Sequence, residues 1–99
     1  MPKRIFTYEE ATELLPEVQR LTAEAAERVD AMTSEDPEDY QRVVMEWAEA
    51  VLALEVDVKG LWLVDFDSGA GYYCWKYPEP ALEHFHGYEE GFGGRVKLN

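Results

Sequence analysis

A single cysteine, Cys74, is all that this chain of 99 residues offers for covalent cross-linking, so an intrachain disulfide is impossible. No run approaches the roughly 20 apolar residues that a membrane span needs. Nor does an apolar segment follow Met1-Pro2-Lys3-Arg4, where a secretion signal would place one. Bases are scarce: nine Lys and Arg stand against 21 Asp and Glu, for a net charge of −12. A surface of that sign repels phosphate backbones and anionic lipid, which excludes nucleic acid and membrane as expected partners. The expectation is a soluble, cytoplasmic protein held in solution by its charge.

What is present is the material of one folded domain over residues 1–99: 46% hydrophobic residues, 13% of all residues aromatic. The charge is uneven. Residues 1–59 carry fifteen acids against six bases, whereas residues 60–99 carry six against three. The same boundary separates two kinds of apolar pattern, so a helical part over 1–59 and a β-rich part over 60–99 are expected.

Thr7-Tyr8-Glu9-Glu10 has the form of a capping box, with Phe6 placed to staple against Ala11. Pro16 then interrupts, because it lacks a donor and crowds the carbonyl of Thr12. The reading is a short first turn or two and a kink or fresh start, then a helix over roughly 16–32. Its stripe is Val18, Leu21, Ala25, Val29 and Met32. Thr33-Ser34-Glu35-Asp36-Pro37 is a connection, with Asp36 as N-cap and Pro37 at the first helical position. A second helix over roughly 37–57 carries Tyr40, Val44, Trp47, Val51, Leu54 and Val58 as a heptad-like seam. So short a connection makes the two helices antiparallel neighbours.

After Lys59-Gly60 the pattern becomes extended. "LWLVDF" and "YYCWKY" flank the turn-rich "DSGAG", which predicts a β-hairpin over 61–66 and 72–77. A loop of residues 67–71 pairs Phe66 with Tyr72, Val64 with Cys74 and Leu63 with Trp75, leaving both faces largely apolar. "ALEHFH", a glycine-rich loop "GYEEGFGGR" and a short closing strand in "VKLN" complete the chain. The fold class is α+β: a long antiparallel helical hairpin, then a small antiparallel β-hairpin or sheet and a glycine-rich C-terminal loop.

Chemistry concentrates in "CWKYPEPALEHFH", which holds the cysteine and both histidines. Together "FTYEEATELLPEV", "GLWLVDF", "CWKYPEP" and "FHGYEEGFGGR" resemble an uncharacterised prokaryotic family known only as a domain of unknown function. The resemblance implies Cys74, Trp75, Glu79, His86, Gly91, Phe92, Gly94 and Arg95 as the family's positions. Pro78 stands where that family has glycine, and His84 where it has an aromatic residue. It implies a fold and a residue set, but no activity.

Three chemical readings compete with packing. Cys74, His84 and His86 are all good zinc ligands. In a strand the two histidines share a face, and in a helix they point about 200° apart. Cysteine–histidine nucleophilic chemistry needs a thiolate, and apolar and acidic neighbours work against one. Trp75, Glu79, His86 and Arg95 are the candidate lining of a ligand pocket, and the glycine loop with Arg95 suits an anion. The packing reading instead seats Arg95 on Glu79 or Glu90 and buries Cys74 as a small hydrophobe. It ranks first, so no catalytic residue and no cofactor is assigned.

The expected function is therefore a non-enzymatic interaction or self-assembly module, with a small ligand- or metal-binding protein or enzyme around Cys74, Glu79, His86 and Arg95 as the alternative. A homodimer or higher homo-oligomer is expected, with a protein partner as a further candidate, because Trp47, Trp62, Phe66, Tyr73, Trp75 and Tyr77 exceed what one helical and one β-hairpin would cover.

Overall fold

The computed structural model describes residues 3–33 and 35–98 and is α+β: two helices followed by a five-stranded antiparallel sheet in the order β1-β2-β3-β4-β5. Helix α1 spans Tyr8–Asp30 and α2 Pro37–Ala53. The strands are β1 Asp57–Gly60, β2 Leu63–Asp67, β3 Tyr72–Lys76, β4 His84–His86 and β5 Val96–Lys97. Of the expected helix connection, Ser34 lies outside the described residues, as does Asn99 of the expected closing segment.

The N-terminal capping box forms as its residues dictate. The Thr7 hydroxyl accepts from the Glu10 amide, and the Glu10 carboxylate accepts from the Thr7 amide. Pro16 does not restart the helix, contrary to the sequence reading: α1 runs through it. Interior proline costs about 3 kcal/mol. Burial of Ala11 and Leu15 before it, and of Val18, Thr22, Ala25 and Ala26 after it, outweighs that loss. The helices run antiparallel, with Arg28 3.1 Å from Glu46 and, further back along α1, Thr22 bonded to Trp47. Buried Thr22 donates to the Val18 carbonyl and accepts from the Trp47 indole at 2.9 Å, so this buried hydroxyl is satisfied.

Helix α2 is shorter than expected. It begins at Pro37 behind the Asp36 cap but stops at Ala53, and Glu55 follows with φ of +64°. Its buried stripe is Val43, Trp47 and Val51, while Tyr40 is exposed. Val58 belongs to β1, an edge strand absent from the sequence reading.

The β2–β3 register is one residue away from the one expected. Asp67 stays in the ladder opposite Tyr72, which pairs Phe66 with Tyr73, Asp65 with Cys74 and Val64 with Trp75. Asp67 also turns the loop, since its carboxylate accepts from the Gly69 amide. The shift divides the two faces cleanly. Val64, Phe66 and Trp75 pack with Phe6, Leu15, Val18, Trp47 and Val51 in one core beneath the helices. Asp65, Cys74 and His86 are buried on the other face, which is therefore not the second apolar face that was expected. Trp47, Phe66 and Trp75, among the aromatics thought to need a second copy, are buried within one chain.

Gly71 carries the tight approach of the β2–β3 loop to β4. At its φ of +155° an added Cβ would lie 2.4 Å from the Phe85 ring and 2.7 Å from the His86 carbonyl oxygen. Gly71→Ala will therefore cost about 2 kcal/mol or more in urea unfolding. Gly91→Ala, with nothing within 4 Å of the new atom, will cost less than about 0.5 kcal/mol.

Candidate functional site

The antiparallel ladder explains which groups meet on the sheet face turned away from the helices. Asp65 is opposite Cys74, Cys74 is opposite His84, and Tyr72 is opposite His86. His86 on β4 reaches past β3 to Asp65 on β2. Its Nε2 lies 3.1 and 3.0 Å from the two Asp65 carboxylate oxygens. Its Nδ1 donates to the Gly87 carbonyl at 2.9 Å, which fixes the ring's orientation.

Ligand atoms of Asp65, Cys74 and His86 all lie within 4.8 Å of one another, and all three residues are buried. A carboxylate and an imidazole with only 2% and 4% of their side chains exposed are costly to bury. They offset each other and leave the thiol beside them. The Cys74 thiol is pushed up to about 12, first by burial and then by the charge and hydrogen bond of Asp65, with Arg95 pulling weakly the other way. At neutral pH it is a protonated thiol, which gives the cysteine–histidine nucleophile reading no activated sulfur.

Of the expected zinc set, Cys74 and His86 come together and His84 does not. Strand β4 puts both histidines on one face, as anticipated, but His84 turns toward Glu79, with its Nδ1 3.6 Å from the carboxylate and without a hydrogen bond. Asp65 takes the third place. It was overlooked in the sequence, although one charge inside the apolar run "LWLVDF" was the signal: a buried strand carboxylate needs a partner.

The expected Arg95 ion pair forms, with Glu79 rather than Glu90. It is bidentate, at 2.9 and 2.6 Å. The Glu79 carboxylate also accepts the Lys76 amide, and the Trp75 indole donates to the Glu79 backbone carbonyl. Burial acts to raise the Glu79 pKa, but the Arg95 hydrogen bonds, the Lys76 amide and the Arg95 charge outweigh it and hold it below its ordinary value. Arg95 stacks on Phe92 at 4.1 Å and brings one N–H to 4.0 Å from Cys74 Sγ. Trp75 and Glu79 thus support the strand end and the arginine. Glu90 accepts from the Gly87 amide.

The glycine-rich loop closes over the three buried groups and leaves a cavity of about 400 Å³. Its floor includes Asp65, Cys74 and His86; Lys59, Tyr72, Tyr88 and Phe92 are among its walls. Tyr88 is held by its hydroxyl, which donates to Asp67 at 2.7 Å, and by an edge-on contact with Tyr72. Lys59 lies 4.6 Å from the centre of the Tyr72 ring. A roomier groove of about 520 Å³, beside Tyr8, Tyr73, Ala81, Glu83 and Leu98, offers one carboxylate and neither thiol nor imidazole. The smaller cavity is therefore the candidate site.

The family described as an uncharacterized conserved protein (DUF2203) matches residues 31–98. No curated protein and no solved structure matches the chain. Among the described residues no helix is long and apolar enough to cross a membrane.

Proposed function

The chain belongs to this uncharacterized conserved family (DUF2203), and we propose that it binds one divalent transition-metal ion, of the zinc class, through Asp65, Cys74 and His86. The carrying observation is the setting of His86. Its Nδ1–H is committed to the Gly87 carbonyl, so Nε2 is the nitrogen aimed at the Asp65 carboxylate and the Cys74 sulfur. That is how a metal-ligating histidine is oriented by its outer shell. Metal–ligand bonds of about 2.0–2.3 Å put neighbouring ligand atoms about 3.3–3.8 Å apart. Atoms already within 4.8 Å reach that spacing by small side-chain adjustments. A carboxylate, a thiolate and an imidazole are the donor types that zinc accepts.

Two further positions implied by the family resemblance have parts in this reading. Glu79 holds Arg95, and Arg95 places a positive charge beside Cys74, where a metal-bound thiolate needs one. Self-assembly ranks behind metal binding, because several of the large aromatics that called for a second copy are covered within one chain. Equilibrium dialysis of the purified chain against zinc tests the proposal. One tightly held ion per chain, held far more weakly in Cys74→Ser and His86→Ala, is expected. A folded wild-type chain that retains none would reject it.

A further inference from the structure

Resting on that metal reading, we infer that the bound ion keeps one coordination position open toward the cavity, and that a small monoanion fills it with help from Lys59. The ligand count comes first. Among the described residues three metal-ligating side chains converge, and no fourth His, Cys, Asp or Glu joins them. Two other candidates stand outside the group: His84 faces Glu79 at 3.6 Å, and Glu90 accepts the Gly87 amide. Structural zinc sites are closed by four protein ligands, whereas three protein ligands with a free fourth position receive an outside ligand.

The space is in the right place. The cavity of about 400 Å³ is bounded by these same three residues, so the open position faces it rather than packed protein. At about 30 Å³ per water molecule that room exceeds what a single water fills, and a ligand of several heavy atoms fits.

Charge selects the class of ligand. A divalent ion with the Asp65 carboxylate, the Cys74 thiolate and a neutral His86 sums to zero. The charged walls of the cavity are Lys59 and Glu90. Glu90 has its carboxylate on the Gly87 amide, while the Lys59 ammonium sits over the Tyr72 ring and 4.0 Å from Asp57. Lys59 is thus the cation available to balance a coordinating monoanion. Tyr72, Tyr88 and Phe92 wall the same space, so the anion is one on a small, partly apolar body such as a carboxylate.

The test uses the full chain loaded with cobalt(II), whose visible bands report coordination number and whose sulfur charge-transfer band reports Cys74. Titration with azide should change the bands saturably at constant cobalt stoichiometry. Lys59→Met should weaken azide by about fivefold, the effect of one partly exposed charge, without releasing cobalt. Stoichiometric cobalt whose bands ignore azide would mean a closed site and would overturn the inference while leaving metal binding intact. Unchanged azide affinity in Lys59→Met would overturn the part given to Lys59. A chain that takes up no cobalt removes the metal reading, and this inference with it.

Discussion

Cys74→Ser will weaken zinc binding by more than the roughly 10–100-fold that loss of an outer-shell partner costs a metal site. Wild-type affinity itself will rise about tenfold per pH unit between about pH 6 and 8, for each proton the metal displaces. The reason lies in the thiol. With the Cys74 pKa near 12, the sulfur is protonated throughout that range, and the metal must remove its proton to bind. The thiolate fraction then grows tenfold with each unit of pH, and affinity follows it. Arg95→Gln should sit inside the outer-shell range, since the guanidinium approaches the sulfur at 4.0 Å without contributing a ligand. Competition against a chromophoric chelator at several pH values measures all three. A flat pH profile, or a Cys74→Ser affinity equal to wild type, would remove sulfur from the site.

The second large effect is on the metal-free fold. Asp65→Ala will destabilise it by about 1–3 kcal/mol, the cost of leaving a buried polar group without its hydrogen-bond partner. The Asp65 carboxyl group is 2% exposed and lies 3.0 Å from His86 Nε2, so its removal leaves a buried imidazole nitrogen without its partner. Replacing both partners by apolar groups should behave differently. Asp65→Leu combined with His86→Leu should return most of that stability, because a buried pair seldom outperforms well-packed hydrocarbon. Urea unfolding of the metal-free variants decides it. Recovery in the double variant means that the fold does not require the pair, and that its cost is borne for the site. A double variant no more stable than Asp65→Ala would make the pair a structural element.

Local rules carried the sequence reading wherever the signal was local. Thr7 with Glu10, Asp36 with Pro37 and the change of pattern at Gly60 each name a boundary within a few residues, and the helices and the β2–β3 hairpin follow from them. That Arg95 pairs with a carboxylate, Glu79 or Glu90, was also legible, because an arginine after three glycines in an acid-rich segment has few other uses. Two misreadings had the same origin. Val51, Leu54 and Val58 continue the helical spacing of α2, yet Val56 and Val58 alternate just as well in an extended chain. That left strand β1 hidden. Asp67 suits a turn so well that it was placed in one, which moved the β2–β3 register by one residue. With Asp67 restored to the strand, Asp65 comes opposite Cys74 and the aromatic residues change faces. A single-residue slip thus concealed the cluster of Asp65, Cys74 and His86, since that cluster exists only through cross-strand pairing.

X-ray absorption at the zinc edge of the metal-loaded chain tests the central claim most directly. The geometry predicts one sulfur at about 2.3 Å and nitrogen or oxygen neighbours at about 2.0–2.1 Å, including an imidazole. In Cys74→Ser the sulfur shell should vanish. A wild-type spectrum with only light-atom neighbours would place the ion away from Asp65, Cys74 and His86, and would contradict the account.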